Sequence, residues 1–153
     1  MKSIFAAAIS LIICATSAVA APIWRGQMCL TSVTSACTTV SQWVVGNCLP
    51  FSYAPPNLGN NGTATEFSVF GVGFAENYKL ASGTLIGTTF KAVAGTFLGG
   101  KLKSFSPTMR ITSQVPAAPA VSTQTVTLVG DIANFDATAT CNVNFKAAAT
   151  LKP

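Results

Sequence analysis

Histidine is absent from the 153-residue chain, and acidic residues number only four: Glu66, Glu76, Asp131 and Asp136. The first absence removes the side chain that most often serves as general base, proton shuttle or zinc ligand near neutral pH. Without it a cysteine or serine nucleophile lacks its usual activating partner. Neither S-x-x-K nor G-x-S-x-G is present to supply an alternative nucleophile arrangement. The four carboxylates flank apolar stretches or a turn, which makes each a solvated strand end. A carboxylate-dependent hydrolase would need two of them brought together in a cleft.

Charge is scarce overall. Charged residues make up 8% of the chain and the net charge is +5, with threonine, serine and asparagine at most polar positions. The glycine spacing of a nucleotide-binding turn is missing from "GVG" at 71–73, and Asp131 to Asp136 lacks the alternating oxygen ligands of a calcium loop. No cofactor or metal is expected. Nucleic acid is not an expected partner either, because aromatic residues are not interleaved with the cations.

The first twenty residues have the order of an export signal. Lys2 precedes an uncharged apolar run that ends in Ala18-Val19-Ala20, so cleavage is expected after Ala20 and the product is periplasmic or extracellular. The run is short of the roughly 20 residues a spanning helix needs. The domain division is therefore 1–20 as signal peptide and 21–153 as one exported domain, of a size that suits a single core. No integral membrane span is expected after cleavage, and the oligomeric state is left open.

Cys29, Cys37, Cys48 and Cys141 follow the signal segment, separated by seven, ten and ninety-two residues. A zinc site usually draws its sulfurs in closely spaced pairs, and these spacings do not provide them. In an oxidising compartment the four cysteines read as two disulfides. Of the three pairings, Cys29–Cys37 with Cys48–Cys141 is favoured here. The long bridge would contribute on the order of 4 kcal/mol in the chain-entropy model.

Period-two alternation dominates the carboxyl-terminal third. Ala137, Ala139, Cys141, Val143, Phe145, Ala147, Ala149 and Leu151 alternate with polar residues, which predicts a long half-buried strand with a bend or bulge. "VSTQTVTLVGDI" is its expected hairpin partner across "ANFD". "PTMRITSQV" is a third strand, with Met109, Ile111 and Val115 on one face. Turns are expected at Asn61-Gly62 and Gly99-Gly100. "EFSVFGVGF" changes parity midway, as a bulged or doubly covered strand would. "LASGTLIGTTFKAVAGTFLGG" reads as two glycine-softened strands, with a short helix near 73–81. "CLPFSYAPPNLGNNG" and "QVPAAPAVS" read as connections. The fold class is all-β: one antiparallel β-sandwich or β-barrel of about seven to nine strands, stapled by disulfides.

Two candidate sites follow. Between Asn77 and Gly130 there are five cations and no acid; Lys91, Lys101, Lys103 and Arg110 form a candidate patch for an anionic partner such as a cell-envelope polymer. Asn61 also starts an N-glycosylation sequon. Phe67, Phe70, Phe74, Phe90, Phe97 and Phe105 are candidates to line an apolar pocket for a small hydrophobic ligand inside a barrel. The favoured function is a non-catalytic structural or binding module, and the alternative is a small-ligand carrier.

Overall fold

The computed structural model describes residues 22–40, 43–55, 65–71, 73–80, 85–97 and 105–152. The expected signal segment, the expected Asn-Gly and Gly-Gly turns, Lys101 and Lys103 lie outside the described residues. Eight antiparallel strands pair in chain order: β1 (Ile23–Val33), β2 (Cys48–Ala54), β3 (Thr65–Gly71), β4 (Phe74–Leu80), β5 (Thr89–Phe97), β6 (Thr108–Val115), β7 (Thr125–Ala133) and β8 (Val143–Lys152). β1 closes on β8, so the architecture is a barrel, not a sandwich. Closure removes the free edges that an open sheet of this size would have to protect.

Alternation decides which way each strand faces. In β8 Val143, Phe145, Ala147 and Ala149 are buried, whereas Asn144, Lys146, Ala148 and Thr150 are exposed. β1 contributes Trp24, Met28 and Leu30 to the interior, β2 contributes Leu49, Phe51 and Tyr53, and β7 contributes Val126, Leu128 and Ile132. An eight-stranded barrel is just wide enough for such side chains to fill. Tyr53 stacks on Phe67 with ring centroids 4.9 Å apart, and Phe51 lies 5.8 Å from the same ring. Gly130 makes room for this filling. A Cβ there would stand 2.4 Å from the Arg110 carbonyl oxygen and 2.8 Å from the Phe145 ring.

Irregularities in register supply the curvature. Pairing shifts between Leu30 and Ser32, between Asn77 and Tyr78, and between Ile111 and Ser113. The last of these corrects the reading of β6: beyond the bulge Gln114 points inward, and Val115 is 63% exposed. A one-residue slip reverses every later side chain.

Other expectations also change. "EFSVFGVGF" is two strands, because Gly71 pairs with Phe74 and the chain turns there, with Gly73 at φ 83°. That turn, not a bulge, causes the parity switch. The helix expected near 73–81 is β4, and the described helix is α1 (Ser35–Val40). "CLPFSYA" is β2, with Pro50 on the outer face opposite Gln27. In the glycine-rich stretch β5 is a single strand preceded by an isolated bridge from Ile86 to Ile111. The last strand starts at Val143 and not at Ala137. Residues 134–142 form a compact loop in which Asn134, Asp136, Ala137 and Thr140 all have positive φ.

The disulfides are Cys29–Cys48 and Cys37–Cys141. The favoured pairing is thereby corrected. Cys29 and Cys48 face each other in the β1–β2 ladder, on the outer wall, which leaves Cys37 of α1 to reach the buried Cys141. That second bridge closes one end of the barrel. The opposite end is covered by residues 116–124, held by Trp24 Nε1 donating to the Thr123 carbonyl at 2.8 Å and by Gln114 Nε2 donating to the carbonyls of Pro116 and Ala117.

Candidate functional site

The four acids are each accounted for, and Glu76 is the one that the sequence reading misplaced. Glu66 pairs with Lys79 at 3.1 Å and Asp131 with Arg110 at 2.9 Å, both on the outer wall. Glu76 is 0% exposed inside the barrel, and the loop that carries Asp136 packs over it. The reading of Glu76 as a solvated strand end is corrected: the register of β4 aligns it with Phe74 and Tyr78, whose side chains also face inward.

Glu76 sits in a dense network at the stapled end. Its carboxylate accepts from the Tyr78 hydroxyl and, at 2.9 Å, from the backbone N–H of Asp136. Burial pushes its pKa up to about 7, partly opposed by those two hydrogen bonds, and the nearby Asp136 charge adds to the rise. Burial likewise pushes the Tyr78 phenol well up, reinforced by the adjacent carboxylate. Asp136 accepts from Trp43 Nε1 at 3.2 Å. The Trp43, Phe74 and Phe135 rings pack edge to face or tilted, with centroids 5.4–5.7 Å apart. Fully bonded and covered by aromatic rings, this carboxyl pair is placed to hold a loop down. Among the described residues no three histidine, cysteine or acidic side chains are grouped to hold a metal ion.

The outer wall is different. β1, β2 and β8 contain no acidic residue, yet they carry Arg25, Lys146 and Lys152. With Glu66 and Asp131 bound to their own partners and Glu76 inside, nothing on the described wall neutralises these three. Register places Lys152 beside Ile23 and Lys146 beside Cys29, so the cations line one β1–β8 ladder.

Two open grooves flank β1 on this face and meet at Gly26. One, of about 360 Å³, lies between Arg25, Ser52, Pro50 and Phe70; the other, of about 510 Å³, lies between Gln27, Thr31, Lys146 and Ala148. At Gly26 β1 leaves no room for a side chain against β8, since a Cβ there would stand 1.9 Å from the Ala148 carbonyl oxygen. Phe70 forms an apolar wall of the first groove and is 42% exposed.

The four of the six phenylalanines whose side chains are described do not converge. Phe67 is buried against Tyr53, and Phe74 packs at the stapled end. Phe70 and Phe105 are exposed. Phe90 and Phe97 belong to β5, and their side chains lie outside the described residues. In the expected cationic patch, Lys91 and Arg110 lie on the outer wall of β5 and β6, near one another by register, but Arg110 is committed to Asp131. The unpaired cations of β1 and β8 were missed. Their signal was in the strand parity: Arg25 alternates with Trp24, and Lys146 and Lys152 occupy the polar positions of the clearest strand. No family model, curated protein or solved structure matches the chain.

Proposed function

We propose that the chain is an exported, non-catalytic binding module that meets its partner on the outside of a stapled barrel. The observation that carries this reading is the contrast between its two surfaces. Inside, large side chains pack on one another, and among the described residues no buried polar side-chain atom lacks a hydrogen-bond partner. Outside, cations on β1 and β8 have no counter-charge among the described residues and stand beside open grooves. Surface charges not already engaged within the protein steer and orient a partner of opposite charge. The signal-like leader and the disulfides support export. Polar residues on the outward positions of β8 and apolar ones inside are the reverse of a lipid-facing barrel.

The second reading, a carrier of a small apolar ligand, has the closed eight-stranded architecture in its favour. One experiment separates the two. The protein is recovered from an exporting host, and its intact mass is measured under native and under denaturing conditions. The outer-wall reading expects the same mass both times, reduced by the leader and by the four hydrogens lost in two disulfides. Extra mass that departs on denaturation makes the protein a carrier. Turnover of any substrate that vanishes on Glu76→Gln would instead revive a carboxylate-dependent hydrolase.

A further inference from the structure

We infer that the β1–β2–β8 face is a binding site for a carboxylated polysaccharide, with Arg25 and Phe70 as its centre and Lys146 and Lys152 as its flanks. This deepens the binding-module reading and rests on it. Three features of the face select that chemistry over other anions.

First, the groove beside Arg25 joins a guanidinium with no ion-pair partner among the described residues to an apolar platform. The guanidinium presents a planar fork that matches a carboxylate with two parallel hydrogen bonds. Phe70 and Pro50 stand next to it, and the carbon-bound hydrogens of a sugar ring pack on such surfaces, the ring edge-positive against the aromatic face. Neither a free phosphate nor a polyphosphate chain has an apolar face to offer Phe70.

Second, the remaining groove walls are uncharged hydrogen-bonding groups. Ser52 in one groove, and Gln27 and Thr31 in the other, provide hydroxyls and an amide at the spacing of alternate strand residues, on the outward side. Sugar hydroxyls, each both donor and acceptor, are the complement of that set.

Third, the cations are sparse. With Lys152 opposite Ile23 and Lys146 opposite Cys29, strand geometry sets Arg25 at ~8 Å from Lys152 and ~14 Å from Lys146 at the level of the backbone. A nucleic acid strand carries a charge about every 3.4 Å and would leave most of its charges unmet here. A polymer with one carboxylate every sugar or two is more sparsely charged and leaves fewer of its charges unmet. The Cys29–Cys48 bridge crosses the face at its Lys146 end and ties β1 to β2, so the grooves are held in shape before any ligand arrives.

The test titrates the disulfide-bonded protein with polygalacturonate, with neutral dextran and with polyphosphate at low salt, by calorimetry. Polygalacturonate is expected to bind, dextran not to bind, and polyphosphate to bind more weakly than polygalacturonate. Arg25→Gln should weaken polygalacturonate binding about tenfold, and Phe70→Ala and Lys146→Gln severalfold each. Lys91→Gln, on the far wall, should leave it unchanged. Unaltered thermal midpoints show that each variant is folded. Absence of polygalacturonate binding overturns the site. Equal losses from Lys91→Gln and Arg25→Gln, or Phe70→Ala without effect and polyphosphate as tight as polygalacturonate, reduce the face to general charge attraction and also overturn it. The native-mass comparison tests the parent reading separately, because a carrier retains its ligand whatever the outer wall binds.

Discussion

The two ends of the barrel are closed by different chemistry. At one end Trp24, Tyr53 and Gln114 hold the 116–124 segment with neutral hydrogen bonds: Tyr53 donates to Gln114 Oε1 at 2.7 Å, and Gln114 passes the link on to two backbone carbonyls. At the other, the Cys37–Cys141 bridge, a buried carboxylate and a half-buried tryptophan hold the 134–142 loop. All four positive-φ residues other than glycine among the described residues lie in that second loop. Left-handed backbone costs on the order of 1 kcal/mol or more per residue and persists only where surrounding contacts fix it. Strain and buried charge have collected at the end that is covalently tied, where other contacts can hold them.

The sharpest test of that contrast compares the two bridges. Cys37–Cys141 closes a loop of 104 residues and Cys29–Cys48 one of 19. In the chain-entropy model these contribute about 4–5 and about 3 kcal/mol. Replacing Cys37 and Cys141 together by alanine should lower the denaturant midpoint by more than the same change at Cys29 and Cys48. Equal losses would show that the stapled end draws nothing special from its staple.

Next in size is the pH dependence created by Glu76. Its pKa rises from an ordinary 4.5 in the unfolded chain to about 7 in the folded one, chiefly through burial. The folded state therefore holds a proton that the unfolded state has released between those values, so stability falls as pH rises through this window. The full loss is on the order of 3 kcal/mol between pH 4.5 and pH 7.5. Glu76→Gln keeps an acceptor for the Asp136 N–H and removes the titration. Its unfolding free energy should be nearly flat over the same range and exceed that of the native protein at the alkaline side. A parallel slope in both proteins would mean that another group is responsible. The neutral end of the barrel contributes no such slope near pH 7, because burial pushes the Tyr53 phenol upward, away from this range.

How much of this was readable in advance follows from which interactions are local. β6, β7 and β8 were legible because each alternates apolar and polar residues against a filled interior and a wet exterior, and the all-β class followed from them. β2 was not, because Pro50 and the prolines after it read as a connection; Pro50 is tolerated because it sits near the start of β2, before the described pairing with β3 begins at Phe51. The disulfide pairing was hidden for a related reason. It depends on the β1–β2 register, which β2 must first exist to define. Glu76 was misread because a short helix was expected near 73–81, which hid its alternation with Phe74 and Tyr78 in β4; the backbone donor that meets it comes from a loop sixty residues further on. The cationic face was half visible: the imbalance of charge could be counted, but which cations the two outward acids would neutralise required the register of β3 with β4 and of β6 with β7.

The neutral end should fail locally and at smaller cost. Tyr53→Phe removes the hydroxyl that satisfies Gln114 Oε1 in a buried setting, for an expected loss of about 1–2 kcal/mol. Hydrogen exchange should quicken at the Thr123 amide, which bonds to the Ala120 carbonyl within the covering segment, while the Cys141 amide at the stapled end keeps its protection. Equal acceleration at both amides would show that the two ends open together.

The smallest expected effect addresses the strain itself. Thr140 has φ 61°, an unfavourable region for a β-branched residue; its exposed hydroxyl donates to the Ala139 carbonyl, its backbone N–H donates to Asn134 Oδ1, and its carbonyl accepts from the Thr34 hydroxyl. Thr140→Gly should relieve about 1 kcal/mol and raise the thermal midpoint, since almost no packing is lost, although glycine's freedom in the unfolded chain takes some of that back. The informative measurement repeats the change without the Cys37–Cys141 bridge. A loop freed from its staple can relax out of the left-handed region before any glycine is introduced, so the gain should shrink toward zero there. The difference between the two gains is a coupling free energy between the bridge and the strained backbone, measurable by a double-mutant cycle. Identical gains with and without the bridge would mean that the hydrogen bonds to Asn134 and Asn142, and not the disulfide, keep this loop in its strained form.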